Sequence, residues 1–197
     1  RGLGDVYKRQ VHAIRDQLAY DVFNVPPEKI QVSAPDIGGG FGLKNFLFPE
    51  WVLLLWASKK LGRPIKWVAE RSEDNSSALH GRDITTDAKL ALDKDGNFLA
   101  LEADLTANMG AYLSAGGPNA STNAASTAMG GVYNIPCVFM SSKGVFTNTT
   151  PVDAYRGAGK PEANFIIERL IDIAASQFNF DPVELRLKNI ISTLPHN

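Results

Sequence analysis

Two alternating segments joined by Asp95-Gly96 constrain the fold of this chain more than any other feature of its sequence. Residues 83–94 and 98–108 alternate apolar and polar side chains, which is typical of strands with one buried face. An Asp-Gly pair between such segments favours a tight turn, because glycine adopts a positive φ without steric cost. The sequence therefore predicts an antiparallel β-hairpin near the middle of the chain.

Helical patterns lie on both sides of this hairpin. The sequence predicts four helices, because apolar side chains recur at helical spacing or fill all sides of the segment. They are residues 11–23, residues 45–61 with Gly62 as the stop, residues 161–178, and a last helix that begins at Asp181-Pro182. The predicted apolar stripes are Ile14, Leu18 and Val22 in the first helix, and Phe165, Ile166, Leu170, Ile173 and Ala174 in the third. The second helix is apolar all round, which predicts that it is buried.

Three further short segments, residues 30–34, 64–69 and 137–147, have the composition of strands. Residues 114–131 are rich in small side chains and predict a loop or a close packing surface. Together these patterns predict an α+β fold in which mixed sheets pack against helices.

Composition excludes several classes of protein. Of the 197 residues 44% are hydrophobic, and 20 Lys and Arg balance 21 Asp and Glu, which argues against a disordered chain and against a nucleic-acid binder. No apolar run approaches the roughly 20 residues of a membrane-spanning helix. Cys137 is the single cysteine, so this chain by itself can form neither an intrachain disulfide nor a conventional iron–sulfur cluster. We expect a cytoplasmic protein.

The two ends of the sequence predict a fragment. Residues 1–10 include a segment that resembles a translated sequencing-library adapter, and we exclude them from fold reasoning as a non-native segment. Residues 11–197 are then expected to form one partial domain, with further chain beyond it.

A glycine-rich loop spans residues 36–44, between a predicted strand and a predicted helix. Its glycines would let a ligand approach the backbone, and the free N–H groups at a helix start favour anions. The loop departs from nucleotide-binding motifs, because Leu43 precedes Lys44 and Asn45 follows it. Two interpretations stay open, a tight turn between strand and helix or a ligand-binding loop.

A second loop, residues 154–162, places Arg156 among small residues just before the third helix. Its guanidinium could bind an oxyanion in a bidentate manner, close to the positive end of that helix. Alternatively, the arginine pairs with a carboxylate and holds the loop in place.

Taken in order, the segments GGGFGLK, RPIKWVAERSED, LHGRD, DKDGN, GAYLSAGG, TNTTPVDAYRGAGKPE and DPVELRLKN carry a specific likeness. Over residues 11–191 the chain resembles the molybdenum-binding large subunit of the xanthine dehydrogenase/aldehyde oxidase family. The resemblance implies the first half of a molybdopterin-binding domain pair. The C-terminal half, with the catalytic glutamate base, is expected to lie beyond residue 197.

The resemblance also implies roles for individual residues. Gly39, Gly40, Phe41, Gly42 and Gly157 would line the cofactor, with the Phe41 backbone amide meeting the molybdenum ligands. Arg156 would be catalytic, near the metal ligands and the substrate, and Asn45 and Ala158 would contact the substrate. Purine-oxidising relatives carry a glutamate and an aromatic residue at these last two positions, which argues against a purine substrate. Carbon monoxide-oxidising relatives carry a copper-binding cysteine in place of Gly157, which argues against that chemistry.

The implied cofactor is molybdopterin with molybdenum, in the cytosine dinucleotide form. The implied partners are the [2Fe–2S] and FAD domains or subunits. The implied reaction hydroxylates a small-molecule substrate, an aldehyde or an aromatic N-heterocycle, with oxygen from water, and the isolated fragment is expected to be inactive. Two alternatives remain, a non-catalytic nucleotide-binding module that uses residues 36–44 and a scaffold subunit that keeps the fold without turnover.

Overall fold

The computed structural model describes residues 11–43 and 46–193, which fall into two compact units that meet in sequence between Ala78 and Leu79. The described part of the first unit is helical and irregular. Its elements are helix α1 over the described residues 11–16, a π-helical continuation Gln17–Phe23, a 3₁₀ turn Pro27–Lys29, helix α2 Pro49–Leu61 and helix α3 Arg71–Ser77.

The second unit contains a three-stranded sheet with helices packed against it. Strands β1 (Ile84–Leu92) and β2 (Phe98–Gly110) pair antiparallel, and β3 (Cys137–Phe146) pairs parallel to β2 on its other side. The remaining elements are a π-helix Asn119–Asn123, the short helix α4 Ala124–Ser126, helix α5 Lys160–Phe178 and helix α6 Pro182–Asn189. The predicted hairpin and the predicted α+β fold with a mixed sheet are therefore confirmed.

One face of β2 and one face of α5 form the core of the second unit. Leu101 and Leu105 of the strand and Ile167 and Ile171 of the helix are each no more than 2% exposed. Burying side chains of this size contributes about 2 kcal/mol each through the hydrophobic effect. This packing fixes α5 on the sheet, and its N-terminus follows directly from residues 153–159.

The predicted stripe of α5 is confirmed at Ile166 and Ala174, which are buried, and at Leu170, which packs against the core. It is wrong at Phe165, which is 69% exposed, and at Ile173, which is also exposed, whereas the neighbouring Ile167 and Ile171 are buried. The helix carries apolar side chains on more than one side, and helical spacing alone does not fix the edges of the buried face.

The first unit departs further from the sequence predictions. Helix α2 was predicted to be buried from residue 45, but it begins at Pro49 and none of its residues is buried, with Leu53 61% exposed. Gly62 ends α2 with a φ of +63°, as predicted. Val22 is exposed because the π-helical turn contains more residues per turn, which rotates the following side chains away from the predicted stripe.

The segments 30–34 and 64–69 are not strands in the structure. A strand requires a hydrogen-bonded neighbour, and among the described residues neither segment takes part in a strand pairing. None of the helices in the described ranges combines the length and the apolar character needed to cross a membrane.

Candidate functional site

The glycine-rich loop belongs to the first unit, and its backbone has the conformation that its glycines predict. Gly39 and Gly42 have φ values of +140° and +99°, and Phe41 between them has a φ of +47°. The Phe41 ring folds back over Gly39, where an added Cβ would lie 2.8 Å from Cζ of the ring. Gly40 is buried, whereas an added Cβ at Gly38 would meet no atom within 4 Å. The loop therefore has open space beside its backbone at Gly38, whereas Gly39 is covered by the Phe41 ring and Gly40 is buried.

An apolar cavity of about 490 Å³ adjoins this loop within the first unit. Ile37, from the loop, shares its lining with Ile14 and Leu18 of the first helix and with Trp51 and Leu54 of α2. The predicted substrate residue Asn45 lies outside the described residues, as does Lys44.

The arginine loop belongs to the second unit and forms a tight turn before α5. Gly157, Ala158 and Gly159 have φ values of +96°, +34° and +81°. The Ala158 N–H donates to the Tyr155 carbonyl at 2.8 Å, and the Lys160 N–H donates to the Gly157 carbonyl at 3.2 Å. Of the three residues with positive φ, only Ala158 is an L-residue, and its positive φ is unusual and needs surrounding contacts to hold it. The turn presents Arg156 at the surface of the unit.

The two glycines of this turn are required by close packing. An added Cβ at Gly157 would lie 2.8 Å from the Pro161 ring, and one at Gly159 would lie 2.6 Å from the Ala125 backbone nitrogen in α4. Side chains larger than hydrogen would therefore push the turn away from both helices.

Asp153 and His80 anchor the loop on its N-terminal side. The backbone N–H of His80 donates to the Pro151 carbonyl at 3.1 Å, and the backbone N–H of Asp153 donates to the His80 carbonyl at 2.7 Å. The Asp153 carboxylate is 3% exposed and accepts hydrogen bonds from the N–H groups of Gly116 and Ala154. A buried carboxylate paired with backbone donors holds this segment against residues 114–117.

Asn108 joins the strands to the same segment. Its side-chain nitrogen donates to Asp83 Oδ2 at 2.7 Å and to Thr149 Oγ1 at 2.8 Å. Its side-chain oxygen accepts from the Gly110 N–H at 2.7 Å and from the Thr147 hydroxyl at 2.8 Å. One buried amide thus connects the start of β1, the end of β2 and the loop that leads to Arg156.

Arg82 reaches the arginine loop directly. Its guanidinium donates a hydrogen bond to the Arg156 carbonyl, lies 5.1 Å from the Tyr155 ring centroid, and pairs with Glu162 at 3.4 Å between Nε and Oε1. No local sequence pattern pointed to Arg82, Asn108 or Asp153. Arg82 and Asp153 do lie inside LHGRD and TNTTPVDAYRGAGKPE, two of the segments that carry the family resemblance, and this was the one signal for them.

Comparison with known proteins agrees with this architecture. Residues 6–190 match the family described as the molybdopterin cofactor-binding domain. The carbon monoxide dehydrogenase large chain of Hydrogenophaga pseudoflava is 37% identical over 182 residues, which is 91% of this chain and 22% of that one. The 6-hydroxypseudooxynicotine dehydrogenase complex subunit gamma of Paenarthrobacter nicotinovorans is 36% identical over 92% of this chain and 23% of its own length.

A solved structure has the same fold. Quinoline 2-oxidoreductase from Pseudomonas putida 86 superposes with a TM-score of 0.89 at 35% identity, covering 96% of this chain and 24% of that one. The chain therefore belongs to the molybdopterin cofactor-binding domain family, as its resemblance to the xanthine dehydrogenase/aldehyde oxidase large subunits predicted. It spans about a quarter of the length of the relatives it matches.

Proposed function

We propose that this chain is a cofactor-binding part of a molybdenum hydroxylase large subunit, and that Arg156 acts in its catalysis. The observation that carries the proposal is the turn before α5, where glycines and an alanine with positive φ present one arginine among small residues. The parent enzyme would hydroxylate an aldehyde or an aromatic N-heterocycle with oxygen from water.

Two features of the glycine-rich loop support the proposal that it binds a cofactor. Gly38 leaves open space where a side chain would stand, and the positive φ values at Gly39 and Gly42 turn the backbone in ways that side chains disfavour. Backbone N–H groups in such a loop can donate to the ligands of a metal without filling the space around it. We propose that Gly39, Gly40, Phe41 and Gly42 hold the cofactor here, with the Phe41 amide directed at the molybdenum ligands.

When bound, the molybdenum cofactor supplies a water-derived nucleophile and accepts two electrons from the substrate carbon. This chain would supply a positive charge beside the substrate. Arg156 would stabilise the negative charge that develops on a substrate oxygen or ring nitrogen, through the two donors of its planar guanidinium. Gly157 and Ala158 leave the substrate face uncrowded. Gly157 offers no thiol to hold copper, and Ala158 offers no aromatic ring to stack on a purine, so these two residues favour an aldehyde or N-heterocycle over carbon monoxide or a purine.

Electron transfer would occur outside this chain. We propose that [2Fe–2S] and FAD domains or subunits receive the electrons, that the cofactor is the cytosine dinucleotide form, and that the complex is cytoplasmic. Two relatives support a multi-subunit assembly, because one is named as the gamma subunit of a complex and the other as a large chain.

The test is substitution of Arg156 in the full-length enzyme with its partner subunits. Arg156→Gln should lower kcat about a hundredfold, the scale seen when one donor to a developing negative charge is removed. The molybdenum and pterin content should stay that of the wild type. Arg169→Gln is the matched control, because Arg169 is an exposed arginine of α5, and its turnover should not change.

Two outcomes would contradict the proposal. Unchanged turnover in Arg156→Gln would favour the scaffold alternative. The nucleotide-binding alternative would be favoured if the wild-type complex folds but contains no molybdenum when it is made in a host that synthesises the cofactor. That alternative predicts that the chain binds ATP and that Lys44→Ala abolishes this binding.

A further inference from the structure

We propose that Arg82 is a positioning residue, which holds the turn that presents Arg156. The inference rests on the proposed function of Arg156. The geometry that carries it is the set of three contacts that the Arg82 guanidinium makes on both sides of this turn.

The backbone of Arg82 is held at both of its ends. On one side, His80 pairs with the loop segment through hydrogen bonds to Pro151 and Asp153. On the other side, β1 begins at Ile84, two residues after Arg82. Arg82 itself has a φ of +59°, which costs an L-residue about 1 kcal/mol and so calls for compensating contacts. Its side chain therefore extends from a well-anchored point of the sheet.

The guanidinium spans the turn from its start to the first turn of α5. It donates to the Arg156 carbonyl and lies over the Tyr155 ring at one side of the turn. At the other side its Nε pairs with the carboxylate of Glu162, whose side chain is 14% exposed. These three contacts fix the backbone of Arg156 relative to the helix start.

The planar fork of arginine is required for this arrangement. A lysine at position 82 would keep the positive charge, but a single ammonium group cannot face the Arg156 carbonyl, the Tyr155 ring and Glu162 together. Removing the cation would also leave the mostly buried Glu162 carboxylate without this partner, and its Oε2 already has no hydrogen bond among the described residues. The turn would then lose its three contacts with the Arg82 side chain, and we expect the backbone at Arg156 to become more mobile.

The experiment measures hydrogen exchange and steady-state kinetics of the full-length complex, in Arg82→Gln, Arg82→Lys and Glu162→Gln. The control is Arg169→Gln, because Arg169 lines the same groove between β1 and α5 from the helix. Peptides covering residues 154–163 report the amides of Ala158 and Lys160, which donate within the turn. Peptides covering β1 and β2 report the rest of the unit.

We expect Arg82→Gln to accelerate exchange in residues 154–163 about tenfold or more, with exchange in β1 and β2 unchanged. The value of kcat should fall about tenfold to a hundredfold, because a displaced catalytic group loses its alignment, while KM and molybdenum content change little. Arg82→Lys should recover only part of both effects. Glu162→Gln should have a smaller effect than Arg82→Gln, since the bond to the Arg156 carbonyl remains.

Three results would overturn the inference. In the first, Arg82→Gln exchanges at residues 154–163 as slowly as the Arg169→Gln control. In the second, exchange in Arg82→Gln is accelerated throughout the second unit. In the third, exchange at the turn is faster but kcat is unchanged. If Arg82→Gln does not yield a folded complex, the charge-preserving Arg82→Lys decides by the same measurements. Failure of the proposed function is recognised separately, because it would appear as unchanged turnover in Arg156→Gln whatever the exchange at the turn.

Discussion

Asn108 is predicted to stabilise the second unit far more than an ordinary polar residue. Its side chain is 9% exposed and makes four hydrogen bonds of 2.7–2.8 Å, one of them to the carboxylate of Asp83. Three neutral bonds contribute about 1 kcal/mol each and a bond to a charged group about 1.5–3 kcal/mol. The substitution Asn108→Leu removes all four and leaves the Gly110 N–H unpaired, so we expect a loss of about 5 kcal/mol in the free energy of unfolding.

The substitution Asn108→Asp tests the same hydrogen-bond network by introducing a negative charge into it. It replaces the donor nitrogen, 2.7 Å from Asp83 Oδ2, with a carboxylate oxygen, so two negative groups would face each other. We expect a destabilisation of similar size at neutral pH. In acid it should decrease, because a proton shared between the two carboxylates restores a hydrogen bond.

The assay is hydrogen exchange at the buried amides of β2, followed together with a urea titration. A loss of about 5 kcal/mol corresponds to roughly five-thousandfold faster exchange wherever global opening of the unit controls the rate. Tryptophan fluorescence follows the other unit, because Trp51, Trp56 and Trp67 all precede Leu79. Asn164→Leu is the control, since Asn164 is exposed on α5. A change below about 1 kcal/mol in Asn108→Leu would refute the reasoning.

Two further predictions concern the helices of the second unit. Oδ1 of Asp181 accepts hydrogen bonds from the N–H groups of Val183 and Glu184 at 2.8 and 2.9 Å, so Asp181→Ala should lower the free energy of unfolding by about 1 kcal/mol. Asp181→Asn keeps an oxygen acceptor and should recover most of this free energy in the same urea titration. Burial and the hydrogen bond to Glu168 raise the pKa of Tyr133 from 10.0 to about 12, so the folded state keeps its proton more tightly than the unfolded state does. This contribution to stability is complete below pH 10 and should be lost between pH 10 and 12. Tyr133→Phe should remove this pH dependence of the free energy of unfolding. If the variant shows the same pH dependence as the wild type, Tyr133 is not its cause.

The site was only partly predictable from the sequence. The glycine-rich loop and the turn at Arg156 were found because glycines, prolines and a single arginine mark them within a few residues. Arg82 and its contacts were not found, since Arg82 and Arg156 are 74 positions apart and no local pattern connects them. Asn108 was missed for the same reason, because its partners Asp83 and Thr149 lie 25 and 41 positions away.

The elements that the sequence determined by itself are those with local causes. Asp95-Gly96 closes the hairpin through the positive φ of Gly96, and Asp93 accepts from the N–H groups of Asp95 and Asn97, all within five residues. Gly62 ends α2 by its left-handed conformation in the same local way. Only the tertiary structure decided that α5 buries Ile167 and Ile171 rather than Phe165 and Ile173, and that residues 30–34 do not pair as a strand. Burial and strand pairing both depend on a partner surface, and that surface is supplied by residues distant in the sequence.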